Sequence, residues 1–284
     1  MFPDDAHSDI PSLPVARVGV LLREWRAAQR MSQLDLALEA DVSARHISRV
    51  ETGKAQPSRD MVARLADTFG MPLRERNALL LAAGYAPEYP ETDLGAPELA
   101  PVRRAIELIL GHQEPYPAFV LNRHWDVLLT NRAAARMADF LQGGRGHTNM
   151  LRQFFDPNDL RAVVVNWEEV ARDLLRHLHD VVAAVPSDAE ARALLDEVLR
   201  YSGVPSQWRT RELSAPPPPV LTVTFRKGDQ ELSFFSTFTT FGTSRDVTID
   251  ELRIECAFPM DDTTATLCQA LARDNPDADT HPPV

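Results

Sequence analysis

The chain has 284 residues, 44% hydrophobic and 25% charged, which is typical of a globular protein and long enough for two domains. No apolar run approaches the roughly 20 residues of a membrane span, and the N-terminus lacks the order of a signal peptide, so we expect a cytoplasmic protein without a membrane segment. Two cysteines, Cys256 and Cys268, stand in no metal-ligand pattern. The composition argues against membrane proteins, disulfide-rich secreted domains and cysteine-based zinc modules.

The charge is unevenly distributed along the chain, whose formal net charge is −11. Residues 15–85 contain 11 Lys and Arg against 8 Asp and Glu, a net of +3, whereas the remainder contains 19 against 33, a net of −14. Such asymmetry predicts that the first segment meets a polyanion and the rest does not. Because +3 is a small excess, the placement of the basic residues must matter more than their sum.

The first part of the chain is predicted to be a short tail followed by an all-α domain. Residues 1–14 hold three prolines and three aspartates and are predicted to be a disordered tail. Apolar residues at helical spacing, with Ser32, Ser43 and Ser58 as N-caps, predict a compact five-helix domain over residues 15–85. The predicted helices cover 15–30, 33–40, 44–51, 59–69 and 72–83.

The third predicted helix combines an apolar face with a basic one. Ile47 and Val50 point to the core, while Arg45 and Arg49 lie on the opposite side. Arginine can bind the O6 and N7 atoms of guanine bidentately, so this helix suits the major groove of DNA. The alternative is a helical hairpin with a solvated basic face. The candidate DNA-binding residues are Gln33, Ser43, Ala44, Arg45, Ser48, Arg49, Lys54 and Arg59.

The second part of the chain is predicted to be a proline-rich linker, a mixed α+β domain and a tail. The linker covers residues 86–101, the domain 102–272 and the tail 273–284, with a four-proline run at 216–219. Predicted helices cover 102–112, 131–141, 157–185, 188–201 and 264–272. A hairpin or strand pair is predicted at 118–130, and strands at 220–226, 231–240 and 252–258, the first two joined by a turn at 227–229.

The region around the basic helix resembles the helix-turn-helix of the Xre, or Cro/C1-type phage-repressor, family. The motifs are MSQLDLA at 31–37, VS at 42–43, ISRVE at 47–51 and GK at 53–54, followed by Pro57. The resemblance covers about residues 17–84 and implies operator contacts by Gln33, Ala44, Arg45 and Arg49. It also implies a structural ion pair between Arg26 and Glu51. Asp41 stands where the family usually has glycine, and we expect the turn to survive with mild strain.

The C-terminal domain resembles the MmyB-type ligand-binding domain, which is PAS-like. The resemblance covers about 98–272 and rests on PYPA at 115–118, residues 122–131, NML at 149–151, FFDP at 154–157, Trp167, Trp208 and FP at 258–259. It implies a small sheet with helices on one side that enclose an apolar pocket for a fatty-acid-like ligand. The expected pocket walls are Phe119, Leu121, Trp125, Trp208, Phe234 and Phe238. The alternative for each residue, and the more common one, is an ordinary place in the hydrophobic core.

These features predict a DNA-binding transcription regulator and not an enzyme. A self-cleaving Ser/Lys protease is disfavoured because the only lysines are Lys54 and Lys227, and the chain has no HExxH motif. We expect no metal and no cofactor. One helix-turn-helix reads only a half-site, so we expect a homodimer on a palindromic double-stranded operator, with operator affinity controlled by ligand. The alternative is a C-terminal domain that serves only for dimerisation or protein docking.

Overall fold

A computed structural model describes residues 14–144, 146–210 and 220–274. Contacts between residues divide the chain into two units: one extends to Pro90 and includes Ala184–Ser187, and the other contains the rest. Most of the two predicted tails and the four-proline run at 216–219 lie outside the described residues. The ends of the tails that are described are helical, since residue 14 begins the first helix and residues 273–274 end the last.

The first unit contains the five predicted helices. Serine caps begin three of them, because the hydroxyls of Ser32, Ser43 and Ser58 accept hydrogen bonds from backbone N–H groups three residues on. Ser32 and Asp35 form a reciprocal capping box. The helices are α1 (Pro14–Ala28), α2 (Gln33–Glu39), α3 (Ala44–Glu51), α4 (Arg59–Thr68) and α5 (Leu73–Ala82).

Helices α1 and α3 approach each other unusually closely at Gly19. A Cβ atom at this position would lie 2.5 Å from the carbonyl oxygen of Val50 and 2.8 Å from that of Glu51. Both contacts are with backbone, which cannot swing aside as a side chain can. Only glycine therefore lets α1 pack directly on the end of α3, and this contact fixes where the basic helix stands.

The turn between α2 and α3 contains a left-handed residue that is not glycine. Asp41 has φ 50°, and the next residue, Val42, donates its N–H to the carbonyl of Ala37 at 3.0 Å. This is the usual way in which a helix ends with a left-handed residue, and aspartate tolerates that region better than most residues do. The expectation that the turn survives without glycine is confirmed.

The second unit combines helices with one sheet. Its helices are α6 (Ala100–Gln113), α7 (Arg132–Gln142), α8 (Met150–Phe155), α9 (Trp167–Ala184), α10 (Ala189–Val198), α11 (Val247–Glu251) and α12 (Asp262–Asp274). Its strands are β1 (Ala118–Leu121), β2 (Val127–Thr130), β3 (Thr222–Lys227), β4 (Gln230–Thr239) and β5 (Arg253–Pro259). The predicted fold class, an all-α domain followed by an α+β domain, is confirmed.

The sheet has five strands in the order β2-β1-β5-β4-β3, and every neighbouring pair is antiparallel. Lys227 pairs with Gln230, which leaves a two-residue turn in which Gly228 has φ 60°. The segment at 118–130 is a hairpin, one of the two predicted alternatives. The central strand β5 pairs with β1 on one side and β4 on the other, so its side chains sit in the middle of both faces.

Helices cover both faces of the sheet, which corrects the expectation of helices on one side. On β5, Ile254 and Cys256 point to a small core shared with Ile106 and Leu110 of α6. The alternate residue Ala257 belongs to the large core of the opposite face. Because successive residues of a strand face opposite sides, the odd-numbered positions of β5 face the large core.

The predicted long helix at 157–185 is wrong in its first third. Asp156 does not begin a helix but follows the end of α8, a helix that was not predicted. Val164 forms a β-bridge with Phe225, and the N–H of Val165 donates to the carbonyl of Thr224 at 2.7 Å. Backbone pairing with the edge strand β3 therefore replaces helix there, and α9 begins only at Trp167. Helix α11 was not predicted, and α6 begins inside the predicted linker.

Replacing Gly19 by alanine is predicted to lower the free energy of unfolding of the first unit by about 1–3 kcal/mol, because the methyl group would meet backbone oxygens. The measurement is hydrogen exchange of the α3 amides in the full chain. Gly111→Ala is the matched control, because that position lies in α6 with open space around it. Alanine there should raise the free energy of unfolding of the second unit by about 0.5–1 kcal/mol and leave the α3 amides unchanged. Unchanged α3 protection in Gly19→Ala would contradict the close approach.

Candidate functional site

The outer face of α3 presents basic side chains to solvent. Arg45 and Arg49 are exposed, whereas Ile47 and Val50 are almost completely buried in the core of the first unit. The helix is capped by Ser43, whose hydroxyl accepts from the N–H of His46 at 3.2 Å. Two guanidinium groups one helical turn apart thus project from a rigid, well-packed helix, which is the arrangement that base recognition in the major groove requires.

The end of α3 is held by the buried carboxylate of Glu51. Arg26 of α1 donates from Nε to Oε1 at 2.7 Å and from Nη2 to Oε2 at 3.0 Å, and Gln33 of α2 donates from Nε2 to Oε2 at 2.8 Å. Arg23 adds a hydrogen bond to the carbonyl oxygen of Glu51 at 2.8 Å. The ion pair between Arg26 and Glu51 that the family resemblance implied is confirmed. One carboxylate therefore ties α1 and α2 to the basic helix.

This network keeps Glu51 ionised despite its burial. Burial by itself would raise the pKa of the carboxyl, but the hydrogen bonds from Arg26 and Gln33 and the charge of Arg26 outweigh it, so the pKa of Glu51 is lowered. The side chain of Glu51 is only 2% exposed and that of Arg26 is 17% exposed. Removal of one partner would leave the other buried and uncompensated.

The remaining candidates on α2 and α3 are partly engaged within the domain. The Nε2 of Gln33 is bound to Glu51, so it helps to position the basic helix. Ser43 serves as the N-cap, and Ala44 and Ser48 are half-buried on the flank of the helix. These residues can touch DNA only through their outward atoms, whereas Arg45 and Arg49 offer whole side chains.

Two further cations lie beyond α3. Lys54 is exposed, and within the described ranges neither its ammonium nor the guanidinium of Arg45 has a hydrogen-bond or ion-pair partner. Arg59 pairs with Glu88 at 3.2 Å, but the two side chains are 46% and 49% exposed. Such a pair contributes little, so a phosphate could displace it at small cost.

The second unit contains a partly open, mostly apolar cavity of about 350 Å³ between the sheet and α7 and α8. The helix wall includes the small residues Ala134 and Ala138, and this lack of bulk is what leaves the space open. This volume is within the range of small-molecule sites. The other apolar lining residues are Pro117, Phe119, Val127, Ala135, Met137, Leu141, Met150, Phe154, Leu160, Val223, Phe225, Phe234 and Ala257.

A second cavity of about 590 Å³ lies next to the first, between the sheet and α9. The two share the side chains of Met150, Phe154, Val223, Ser236 and Glu255 as a common wall. The cavity of about 350 Å³ is called the first cavity and that of about 590 Å³ the second cavity.

The second cavity has one strong cation in its wall. Arg253 Nη1 lies 3.1 Å from Nε2 of His177. Burial, and then the charge of Arg253, lower the pKa of His177, while burial also lowers the pKa of Arg253. The imidazole is therefore neutral at neutral pH and accepts the hydrogen bond from the guanidinium.

The predicted pocket residues are divided among several environments. Phe119 and Phe234 line the first cavity. Trp125 and Phe238 line the second, where their rings meet edge to face at 6.2 Å. Leu121 is buried in the large core and lines neither cavity.

Trp208, the last of the predicted pocket residues, packs against Trp167 with ring centroids 5.8 Å apart. It lines neither cavity but borders a cleft of about 10 Å³, which is too small for an organic ligand.

The sequence-based prediction missed the residues that make the cavities distinctive. Glu255 and Arg253 are the two charged residues of the otherwise apolar strand β5, which was an available signal, and Glu255 lines both cavities. Ala134 and Ala138 carry no signal of their own, because alanine is common in helices. Among the described residues, no group of three or more His, Cys, Asp or Glu could hold a metal ion, and no helix is long and apolar enough to cross a membrane.

Comparison with known proteins gives matches to both units. A family model described as the MmyB-like transcription regulator ligand binding domain matches residues 102–271, and one described as a helix-turn-helix domain matches residues 17–79. Two crystal structures of the clp gene regulator ClgR from Corynebacterium glutamicum also match, each with a TM-score of 0.24. The first is 26% identical and covers 27% of this chain and 96% of that chain. The second is 21% identical and covers 37% and 99%. No curated protein matches the chain.

Glu51→Gln is predicted to lower the free energy of unfolding of the first unit by about 3 kcal/mol at neutral pH, because Arg26 loses its buried counter-charge. Since the pKa of Glu51 is lowered by folding, this stabilisation is present above the unfolded pKa of about 4.3 and is lost as the pH falls through the folded pKa. Hydrogen exchange of the α3 amides against pH measures it. Glu39→Gln, at an exposed position of α2, is the control. A difference in stability between Glu51→Gln and the parent that persisted at the lowest pH would contradict the assignment.

Proposed function

Because the chain belongs to the family of regulators with an MmyB-like ligand-binding domain, we propose that it is a dimeric transcription regulator that senses a small apolar, fatty-acid-like ligand. The helix-turn-helix domain makes it a DNA-binding protein.

The DNA-reading part of the proposal is supported by the rigid setting of the two arginines on α3. Arg45 has no partner among the described residues, and Arg49 makes only a long contact of 3.5 Å to the carbonyl of Lys54. Both guanidinium groups can therefore turn towards guanine edges without breaking strong interactions. Lys54 and Arg59 would bind phosphates, and Gln33, Ser43, Ala44 and Ser48 would border the same groove.

A homodimer is proposed because a single recognition helix spans too few base pairs for specific binding. Dimers of helix-turn-helix proteins bind two half-sites about one helical turn apart, and the operator repeats the two-fold symmetry of the protein. The small positive charge of residues 15–85 strengthens the argument, since a single domain with a net of +3 gains little non-specific affinity.

The ligand part of the proposal is carried by one observation, the first cavity. A domain used only for dimerisation or docking would need a closed core, whereas here an apolar space of about 350 Å³ lies against the sheet. Its walls suit a hydrocarbon chain, with Phe119 and Phe234 on the sheet side. Binding changes operator affinity only if the ligand favours one conformation over another, so the ligand acts by shifting the population of conformers.

Ala138→Phe is predicted to fill the first cavity and to reduce ligand affinity at least tenfold. The measurements are native mass spectrometry of the purified protein, to detect bound small molecules, and calorimetric titration with decyl compounds. Ala193→Phe places the same side chain on the exposed face of α10 and should bind as the parent does. If the parent bound none of these molecules while Ala138→Phe was as well folded as the parent, the result would favour the alternative, a C-terminal domain that serves only for dimerisation or protein docking.

Arg45→Ala is predicted to cost about 1–3 kcal/mol on an operator obtained by in vitro selection and to relax the preference at one base position in each half-site. Lys54→Ala should weaken all sequences alike and reduce the salt dependence of binding by about one phosphate contact. Fluorescence anisotropy with operator variants at several salt concentrations measures both. If Arg45→Ala bound every sequence as the parent does, α3 would not be the reading helix.

A further inference from the structure

The cavity face of the sheet carries one carboxyl group at its centre. Glu255 lies in the middle of β5, where it pairs with Phe119 of β1 and Phe238 of β4. It is on the same face as Ala257, which belongs to the large core, so its side chain faces the cavities. Glu255 lines the first and the second cavity together, which places the carboxyl group in the wall that they share.

Among the residues that the structure describes, this carboxyl group has one hydrogen-bond partner, the side chain of Ser236. Burial raises the pKa of Glu255, and a hydrogen bond with the side chain of Ser236, which lowers it, is the single opposing influence. No cation of the described residues forms an ion pair with it. The two oxygens of a carboxyl group can together accept several hydrogen bonds, so this group has acceptor positions that Ser236 does not fill.

Three other polar side chains of the first cavity are engaged elsewhere. His147 Nε2 lies 3.0 Å from Asp156, Gln153 donates to the carbonyl of His147 at 2.5 Å, and Gln142 donates to Asp159. Each of these three side chains is held in its own local network, so it has fewer free hydrogen-bonding positions for a ligand. Glu255 is the polar group of this wall with the largest unfilled acceptor capacity.

We propose that Glu255 binds the polar end of the ligand and selects a hydrogen-bond donor, an amine or a hydroxyl group, over a carboxylate. This inference rests on the proposed ligand-sensing function, and it specifies the fatty-acid-like ligand as an alkyl chain that ends in an amine or a hydroxyl group in place of the carboxylate of a fatty acid. An ammonium or hydroxyl group fills the empty acceptor positions of the glutamate, and a charged donor gains most because the walls are apolar. A ligand carboxylate would instead add a second acid to an apolar wall in which Glu255 has no counter-ion among the described residues, so at most one of the two acids could be ionised there.

Arg253 offers the opposite choice, two residues away on the same strand. It lines the second cavity only, and its guanidinium is already in contact with His177. A ligand that placed a carboxylate there would leave unfilled the acceptor positions of Glu255 that Ser236 does not occupy. Glu255 is favoured because it borders both cavities, so a chain lying in either one can reach it.

The test compares three probes of equal chain length: decylamine, 1-decanol and decanoate, each titrated calorimetrically below its critical micelle concentration. The parent protein should bind decylamine and 1-decanol at least tenfold more tightly than decanoate. Glu255→Gln keeps the shape and should weaken decylamine at least tenfold while decanoate is unchanged or improved. Glu231→Gln, on the exposed part of β4, is the control and should not change the order.

Several outcomes would overturn the inference. If decanoate bound the parent as tightly as decylamine, Glu255 would not select the ligand, and this comparison does not depend on the folding of any variant. If Arg253→Gln then removed decanoate binding, the polar end would belong to Arg253. Equal binding of all three probes, abolished by Ala138→Phe, would leave the proposed function intact and remove only the role of Glu255. Binding of none would remove both.

Discussion

The carboxylate of Glu51 joins three helices of the first unit, and the position of the basic helix depends on it. Arg26 and Gln33 approach it from α1 and α2, while Gly19 brings the backbone of α1 against the end of α3. A charge buried in this way is stable only when its partners are in place, so the network tolerates few alternative arrangements. Specific recognition by few side chains requires such rigidity, because an arginine that reads a base must be held to within a fraction of an ångström.

In the second unit the corresponding constraint is the alternation of side chains along β5. Ile254 and Cys256 close a small core with α6, so that face of the sheet is sealed. The opposite face receives Arg253, Glu255 and Ala257, two charged residues and a small one, where a closed core would need large apolar side chains. The same strand therefore seals one side of the sheet and leaves space and polarity on the other.

Much of the first unit could be predicted from the sequence because its signals are local. Ser32, Ser43 and Ser58 mark helix starts within a few residues of the helices themselves. The failures arose where distant residues decide. Val165 reads as part of a helix until β3 lies beside it, and Phe119 and Leu121 look alike until the neighbours that leave a space are known. Glu255 was visible as one of two charged residues in a mostly apolar strand, but its place in the wall between two cavities depends on residues more than 100 positions away.

The small residues of α7 argue that the cavity is a functional feature of the chain. Ala134 and Ala138 face the sheet one helical turn apart, at positions where a helix that only closed a core would carry leucine. Each buried methylene that is absent there forgoes about 0.8 kcal/mol of apolar stabilisation, and a buried carboxyl group adds a further cost. Under the proposed function, a ligand that filled the space and satisfied Glu255 would return both contributions, so its binding would be coupled to the stability of the domain. It would shift the conformation of the regulator to the extent that one conformer offers this site and another does not.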